Sequence, residues 1–425
     1  MSKAQENLKD MLEKRIEELS QEDIARALRD FRERLDSSQA ASLNSCPRCG
    51  LCSDSCHYYL SKREVKSSPS YKLSVVEKVF KRYFSLLGKH LPAWAGAEPL
   101  DKDMIREWVD ALYGRCSLCG RCSLNCSVGI NVAYIIKAAR GVLASLGVVP
   151  SGLESTVRTA VEKGNNMGIA LEDWKETVEW LEQELKEELG DPEAEIPLDR
   201  KNTELLYTIN PREAMFFPLS IVAAAKIFIA AGESWTLSSQ NFDVTNYGFY
   251  IGDDALAAEL SARLVRELEK LNARTLVLAE CGHGYNANRW EAPQWLGKKY
   301  EFEVKSILQL VAEYIREGRI KLDPALNPEK ITLHDPCNLV RFGGVVEEQR
   351  LILKRSASNF VEMNPNREKN FCCGGGGGQL AMSRFRERRL EAGRVKAEQI
   401  RRTGAKVVVA PCHNCLDQLF YFRRE

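Results

Sequence analysis

The 425-residue sequence has almost no surplus of charge. Its 60 Lys and Arg face 59 Asp and Glu, a formal net charge of +1. Interspersed signs of this kind argue against nucleic acid or anionic lipid as the main partner. A long hydrophobic run is also missing. The longest, Ala214 to Ala231, is interrupted by Pro218 and Lys226. That is a poor membrane span and reads instead as a buried strand leading into a helix. No secretory leader is visible, because Met1 to about Leu35 is a charged helical pattern. No flavin or nicotinamide fingerprint is present. The one long glycine run is followed by no Lys-Ser or Lys-Thr, which disfavours a phosphate loop.

Cysteine is what the chain does have, fourteen in all. Without a secretion signal they point to metal ligands in a reducing compartment, not to a disulfide framework. Cys46, Cys49, Cys52 and Cys56 form one C-x2-C-x2-C-x3-C run, and Cys116, Cys119, Cys122 and Cys126 form a second. This is the bacterial ferredoxin spacing for [4Fe-4S] cubanes. Three thiolates on a tight loop cover three corners of a cube, and the fourth serves the other cube. The expected ligand sets are therefore Cys46, Cys49, Cys52 and Cys126 for one cubane, and Cys116, Cys119, Cys122 and Cys56 for the other. The proline that usually follows the fourth cysteine is replaced by His57 and Ser127. Zinc is the bland alternative, but zinc sites pair widely separated C-x2-C knuckles instead of crowding four cysteines into eleven residues.

Around these runs the pattern is helical. Tyr71 to Leu87 and Val132 to Leu146 carry apolar residues at three- and four-residue spacing, each followed by a glycine, Gly88 or Gly147. Ser151 to Leu189 continues as charged helices, and Gly190 to Arg200 reads as a linker.

The remaining cysteines lie in a C-x34-C-C-x38-C-x2-C pattern: Cys337, Cys372, Cys373, Cys412 and Cys415. Cys337 and Cys412 follow apolar runs that read as short strands, Ile331 to Leu333 and Val407 to Ala410, and helical segments lie between. Five thiolates on loops could converge on one metal centre. The glycines Gly374 to Gly378 abut Cys373, where a backbone without Cβ can approach a cluster and aim N–H groups at sulfur. An internal repeat precedes this unit. Leu205 to Arg212 matches Ile331 to Cys337, Asn241 to Val244 matches Asn370 to Cys373, and Thr275 to Gly284 matches Lys406 to Cys415. Chance similarity of two α/β segments is the alternative. Only Cys281 survives in the first half. His283 and His413 sit beside cysteines at strand ends, as proton donors or as plain structural histidines. His57 and His90 read as structural.

Residues 40 to 425 resemble the D-type subunit of the heterodisulfide reductase family, including the K subunit of the sulphite-reduction-associated membrane complex. The resemblance implies an α plus α/β fold: an all-helical two-cluster ferredoxin domain over residues 1–195, then a duplicated α/β CCG (cysteine-rich) domain over 196–425. Its repeats would span about 203–320, degenerate, and about 330–425, cluster-binding. The resemblance further implies that Cys337, Cys372, Cys373, Cys412 and Cys415 hold a noncubane [4Fe-4S] cluster where a disulfide is reduced or formed. Degeneration of the first repeat favours a single-site relative. Cys281, as a partly exposed thiolate, and His283 would border the substrate position, with His413 as a second proton carrier. Electrons would come from a partner, either a membrane cytochrome b or quinone subunit or another iron–sulfur or flavin protein. The substrate would be a small or protein disulfide or thiol. A non-catalytic electron relay is the alternative. The expected location is the cytoplasm, peripheral to the membrane through partner subunits.

Overall fold

The computed structural model describes residues 11–423. The first ten residues of the expected N-terminal helix lie outside the described residues. From residue 11 the chain is helical in two pieces, 11–17 and Gln21–Arg34. They are parted where Ser20 caps the second, in a reciprocal box with Asp23. No strand precedes Leu205 among the described residues.

The helices Pro69–Phe84 and Val132–Ser145 bury Val75, Val76, Val79, Ile135, Ile136 and Val142 in one core with Phe31 and Trp108. Gly147 follows the second at φ +68°, the left-handed position a helix end favours. Gly88 differs from expectation. The first of these helices stops at Phe84, and Ser85 caps a short helix, Leu86–His90, that contains Gly88.

Two parallel sheets follow. The first contains β1 (Leu205–Thr208), β2 (Trp235–Thr236), β3 (Thr275–Leu278) and β4 (Glu303–Ser306), in the order β2-β1-β3-β4. The second contains β5 (Lys330–Leu333), β6 (Asn359–Val361) and β7 (Val407–Val409), in the order β6-β5-β7. Both place their first strand between the second and third. After β1 the chain reads Asn210-Pro211 and enters a helix; after β5 it reads Asp335-Pro336 and enters a helix.

One expectation is corrected here. Ala214 to Ala231 contains no strand: Pro211–Phe216 and Leu219–Ala230 are both helices. Asn210 caps the first of these with Glu213, and Pro211 occupies the first helical position, where its missing N–H costs nothing. The helix Leu171–Leu189 does not join the N-terminal core either. Its Trp174, Val178, Leu181 and Leu185 pack into the core of the first sheet. No described helix is long and apolar enough to cross a membrane.

Candidate metal centres

The fold brings the cysteines into three groups. Burial raises the Cys52 thiol, and the nearby sulfurs of Cys46, Cys126 and Cys49 add to the rise. Burial likewise raises Cys122, reinforced by Cys119, Cys56 and Cys116. The sulfurs that act on each of these two thiols are thus drawn from both runs. The groups differ in exposure. Cys49 is exposed, its sulfur 3.9 Å from Ser127 Oγ, and Leu51, between Cys49 and Cys52, and Val128, just past Cys126, are about half-exposed. In the other group Cys56 is buried, and Lys72 Nζ lies 3.5 Å from its sulfur.

The third group is Cys337, Cys372, Cys373, Cys412 and Cys415, a buried cluster against which Cys119 packs. Cys373 and Cys415 sulfurs are 3.3 Å apart. β5 and β7 each end in a loop that delivers cysteines, and the glycine run closes the third side. Gly374 N–H points at Cys372 Sγ and Gly375 N–H at Cys373 Sγ, each at 3.3 Å. Five soft thiols with N–H donors aimed at two of them fit an iron–sulfur group, and they exceed the four ligands of a structural zinc.

The loop carrying Cys337 is anchored by charge. Arg350 grips both oxygens of Asp335 at 2.8 and 2.9 Å, and Arg367 N–H adds a third bond to Asp335 at 2.7 Å. Both side chains of the Asp335–Arg350 pair are buried. Arg350 also holds Glu362, at 2.7 and 3.0 Å, so losing Asp335 leaves it one carboxylate and unpairs the Arg367 N–H. Asp335→Ala is therefore expected to destabilise the protein by about 1–3 kcal/mol, read by urea unfolding.

The second and third groups share a wall. His57, Cys119 and Cys372 bring ligand atoms within 4.8 Å of one another. Ser117 Oγ lies 3.5 Å from Cys372 Sγ and 3.5 Å from His57 Nε2. Arg140, fully buried, donates to the carbonyls of Leu112, Cys116, Tyr250 and Gly377. Arg341 donates to the Cys119 carbonyl at 2.5 Å and to Asn370 O at 2.7 Å.

Two site residues depart from expectation. Cys281 is 1% exposed, so it is no partly exposed thiolate, and burial holds its thiol far above the ordinary range. Its sulfur lies 3.3 Å from His283 Nδ1. The His283 ring is wedged against Tyr247 and Tyr250, and burial drives it down to about 3. Burial thus favours the neutral ring over the imidazolium that a proton donor to a leaving thiolate would need. Their loop does reach the third group, since Gly282 N–H helps lower the Cys412 thiol and His413 N–H donates to Glu280 O at 3.1 Å. His413 is placed differently. Burial works against its charge, but Glu213, 3.2 Å from Nε2, outweighs that and raises it.

Sequence reasoning passed over Ser117, His334 and Lys396, and read His57 as structural. His334 meets Cys373 and Cys415 within 4.8 Å. Lys396 is buried, and burial pushes its ammonium down to about 7. Only the adjacency of His57 to Cys56 and of His334 to Asp335-Pro336-Cys337 marked any of them in the sequence.

Comparison with known proteins follows the same division. Residues 42–130 match the family model of a 4Fe-4S dicluster domain, and residues 331–420 match that of a cysteine-rich domain, CCG. The chain is 28% identical to an Hdr-like menaquinol oxidoreductase iron–sulfur subunit of Archaeoglobus profundus, over 91% of this chain and 77% of that one. It is also 28% identical to the D-type subunit of the dihydromethanophenazine:CoB–CoM heterodisulfide reductase of Methanosarcina barkeri, over 90% of this chain and 89% of that one. An Archaeoglobus fulgidus Hdr-like menaquinol oxidoreductase iron–sulfur subunit 2 matches at 26%, over 87% and 74%. No solved structure matches the chain significantly. The chain is thus an iron–sulfur oxidoreductase component that joins a 4Fe-4S dicluster domain to a CCG domain, a distant homologue of the D-type heterodisulfide reductase subunits and the Hdr-like menaquinol oxidoreductase iron–sulfur subunits.

Proposed function

We propose that this chain is the disulfide-converting component of a multi-subunit redox assembly. Bound to the three cysteine groups, two [4Fe-4S] cubanes would supply one-electron transfer and a noncubane [4Fe-4S] centre would supply the site where a disulfide is reduced or formed. The observation that carries this reading is the shared wall at Cys119 and Cys372, which puts the second ferredoxin group against the five-thiol group.

The residues divide the work. Cys46, Cys49, Cys52 and Cys126 would hold the cubane that faces a partner, since Cys49, Leu51 and Val128 are exposed. Cys116, Cys119, Cys122 and Cys56 would hold the inner one, and Cys337, Cys372, Cys373, Cys412 and Cys415 the third centre. Two electrons from the partner and two protons convert R–S–S–R′ into two thiols, and the reverse forms the disulfide. The partner is a redox protein, either a membrane cytochrome b or quinone subunit or another iron–sulfur or flavin protein. The relatives are, by name, subunits. We read the two sheets as one duplicated unit, the first half having lost its cluster. Cys281 and His283 then belong to the wall of the cleft, not to the chemistry.

A cavity of about 420 Å³ opens between the halves, lined by Arg212, Phe217, Leu380, Asp417 and Phe420 among others. Leu380 touches the Gly375 position, and the Phe217 ring packs on His413 at 5.7 Å. This is the approach a sulfur substrate would use, with His413 and Glu213 between the cavity and Cys412. A second reading, a non-catalytic electron relay, is favoured by one observation: all five sulfurs of the third group are buried.

One experiment separates the two. A thiol added to the oxidised protein is expected to perturb one paramagnetic signal and leave the ferredoxin signals alone. If no thiol or disulfide perturbs any signal, yet electrons still reach a partner protein, the relay reading stands and the enzyme reading falls.

A further inference from the structure

His334 has no part in the proposed disulfide chemistry, although its ring sits inside the third group. One ring nitrogen and the sulfurs of Cys373 and Cys415 all lie within 4.8 Å of one another, and all three residues are buried. His334 is fully buried, and its Nε2 has no hydrogen-bond partner. Buried polar atoms are nearly always paired, so this orphan nitrogen, on a ring that borders two ligand sulfurs, calls for an acceptor that a filled third centre would bring.

The positions of the protons follow from donor chemistry. Lys396 Nζ lies 2.6 Å from Asn370 Oδ1. A lysine nitrogen donates here, so the amide oxygen faces the lysine and the amide nitrogen faces the histidine. Asn370 Nδ2 carries two protons and accepts none. One goes to the Asp335 carbonyl at 3.1 Å, and the other meets His334 Nδ1 at 3.5 Å. Nδ1 is therefore the acceptor, which makes the ring neutral and leaves its proton on Nε2. The orphan nitrogen is then a donor with no acceptor in hydrogen-bond reach, on a ring that borders the third group.

We propose that in the iron-loaded protein His334 donates its Nε2–H to a sulfur of the third centre, on the side of Cys373 and Cys415, held in that tautomer by Asn370 and Lys396, and thereby tunes the reduction potential of that centre. The proposal rests on the reading that these five cysteines hold an iron–sulfur group. Its physical basis is charge. Reduction adds negative charge, part of which falls on the ligand sulfurs, and a hydrogen bond to sulfur stabilises the reduced form more than the oxidised one. His334 would act on that sulfur as the Gly374 and Gly375 N–H groups act on Cys372 and Cys373. It is a tuning residue and carries no electron or proton to substrate.

The test is a potentiometric titration of the full-length, iron-loaded protein followed by EPR. His334→Leu is expected to lower the midpoint potential of the third centre, with its iron retained and both ferredoxin potentials unmoved. His334→Gln places an amide N–H near the same position and is expected to recover most of the shift. Wild-type protein labelled with 15N-histidine needs no variant: a weak nitrogen coupling to the third-centre signal is expected. An unchanged potential in His334→Leu at full iron occupancy overturns the proposal. So does a strong 15N coupling, or loss of third-centre iron from both variants, because either makes His334 a metal ligand. Wild-type protein with no iron in the third group would overturn the underlying reading as well, and that result appears before any variant is made.

Discussion

Anaerobically purified protein is expected to hold about twelve irons per chain, four for each cysteine group, and Cys373→Ser to hold about eight. Cys373 is the most buried sulfur of its group, lies 3.3 Å from Cys415 Sγ and accepts the Gly375 N–H. A serine oxygen there is a harder, shorter ligand that fits neither contact. The two ferredoxin groups draw no ligand from that loop, so their signals are expected to persist. Cys49→Ser probes the opposite end. Its sulfur is exposed and acts on Cys52 of the first group, and the loss is expected to stop there. Cys119→Ser is expected to disturb two centres at once, because its sulfur faces Cys372 across the shared wall. Iron by plasma emission and EPR of each variant check this ordering. Stoichiometric zinc without iron–sulfur absorbance in the wild-type protein would sink the whole assignment.

The ease of reading these groups from sequence has a physical cause. A cubane demands three thiols on one short loop, so its ligands are close in sequence as well as in space, and spacing alone gathers them. The strand-to-loop placement of Cys337 and Cys412 was legible for a related reason. A short β-branched run before a cysteine reads directly as β5 or β7. What depended on long-range packing was not legible. His334 and Lys396 are 62 residues apart and meet only through Asn370. Nothing local marks Ser117 as a neighbour of Cys372, 255 residues away. Cys281 shows the opposite failure. Its repeat position placed it beside Cys412, but sequence carries no record of burial, and its neighbours Tyr247 and Tyr250 come from a different segment. The strand expected within Ala214 to Ala231, ahead of a helix, failed for a local reason, because the Asn210 cap with Pro211 outweighed the apolar composition.

The glycine run reads in the sequence as a means of reaching cluster sulfurs, and the structure gives it a second duty that differs from one residue to the next. Gly377 is expected to be the least replaceable. A Cβ there would lie 2.6 Å from both the carbonyl carbon and oxygen of Ser117, and the residue sits at φ +65°. Ser117 cannot retreat, because its neighbour Cys116 is tied through its carbonyl to Arg140 and Gln379. Gly377→Ala thus combines backbone overlap with left-handed strain, a cost of about 2–4 kcal/mol. Gly376 is its internal control: it has no positive φ, and the nearest atom to an added Cβ is Ser117 O at 3.5 Å, ordinary contact. Gly376→Ala is expected to fold and load iron like the wild type. The two variants separate packing from cluster chemistry, since neither N–H that points at sulfur belongs to Gly376 or Gly377. In Gly377→Ala the contact between the second ferredoxin group and the third centre must open. The expected result is slowed reduction of the third centre in a rapid-freeze EPR experiment, with all three signals still present. Equal rates in the two alanine variants would show that the Ser117 wall does not govern electron passage between the domains.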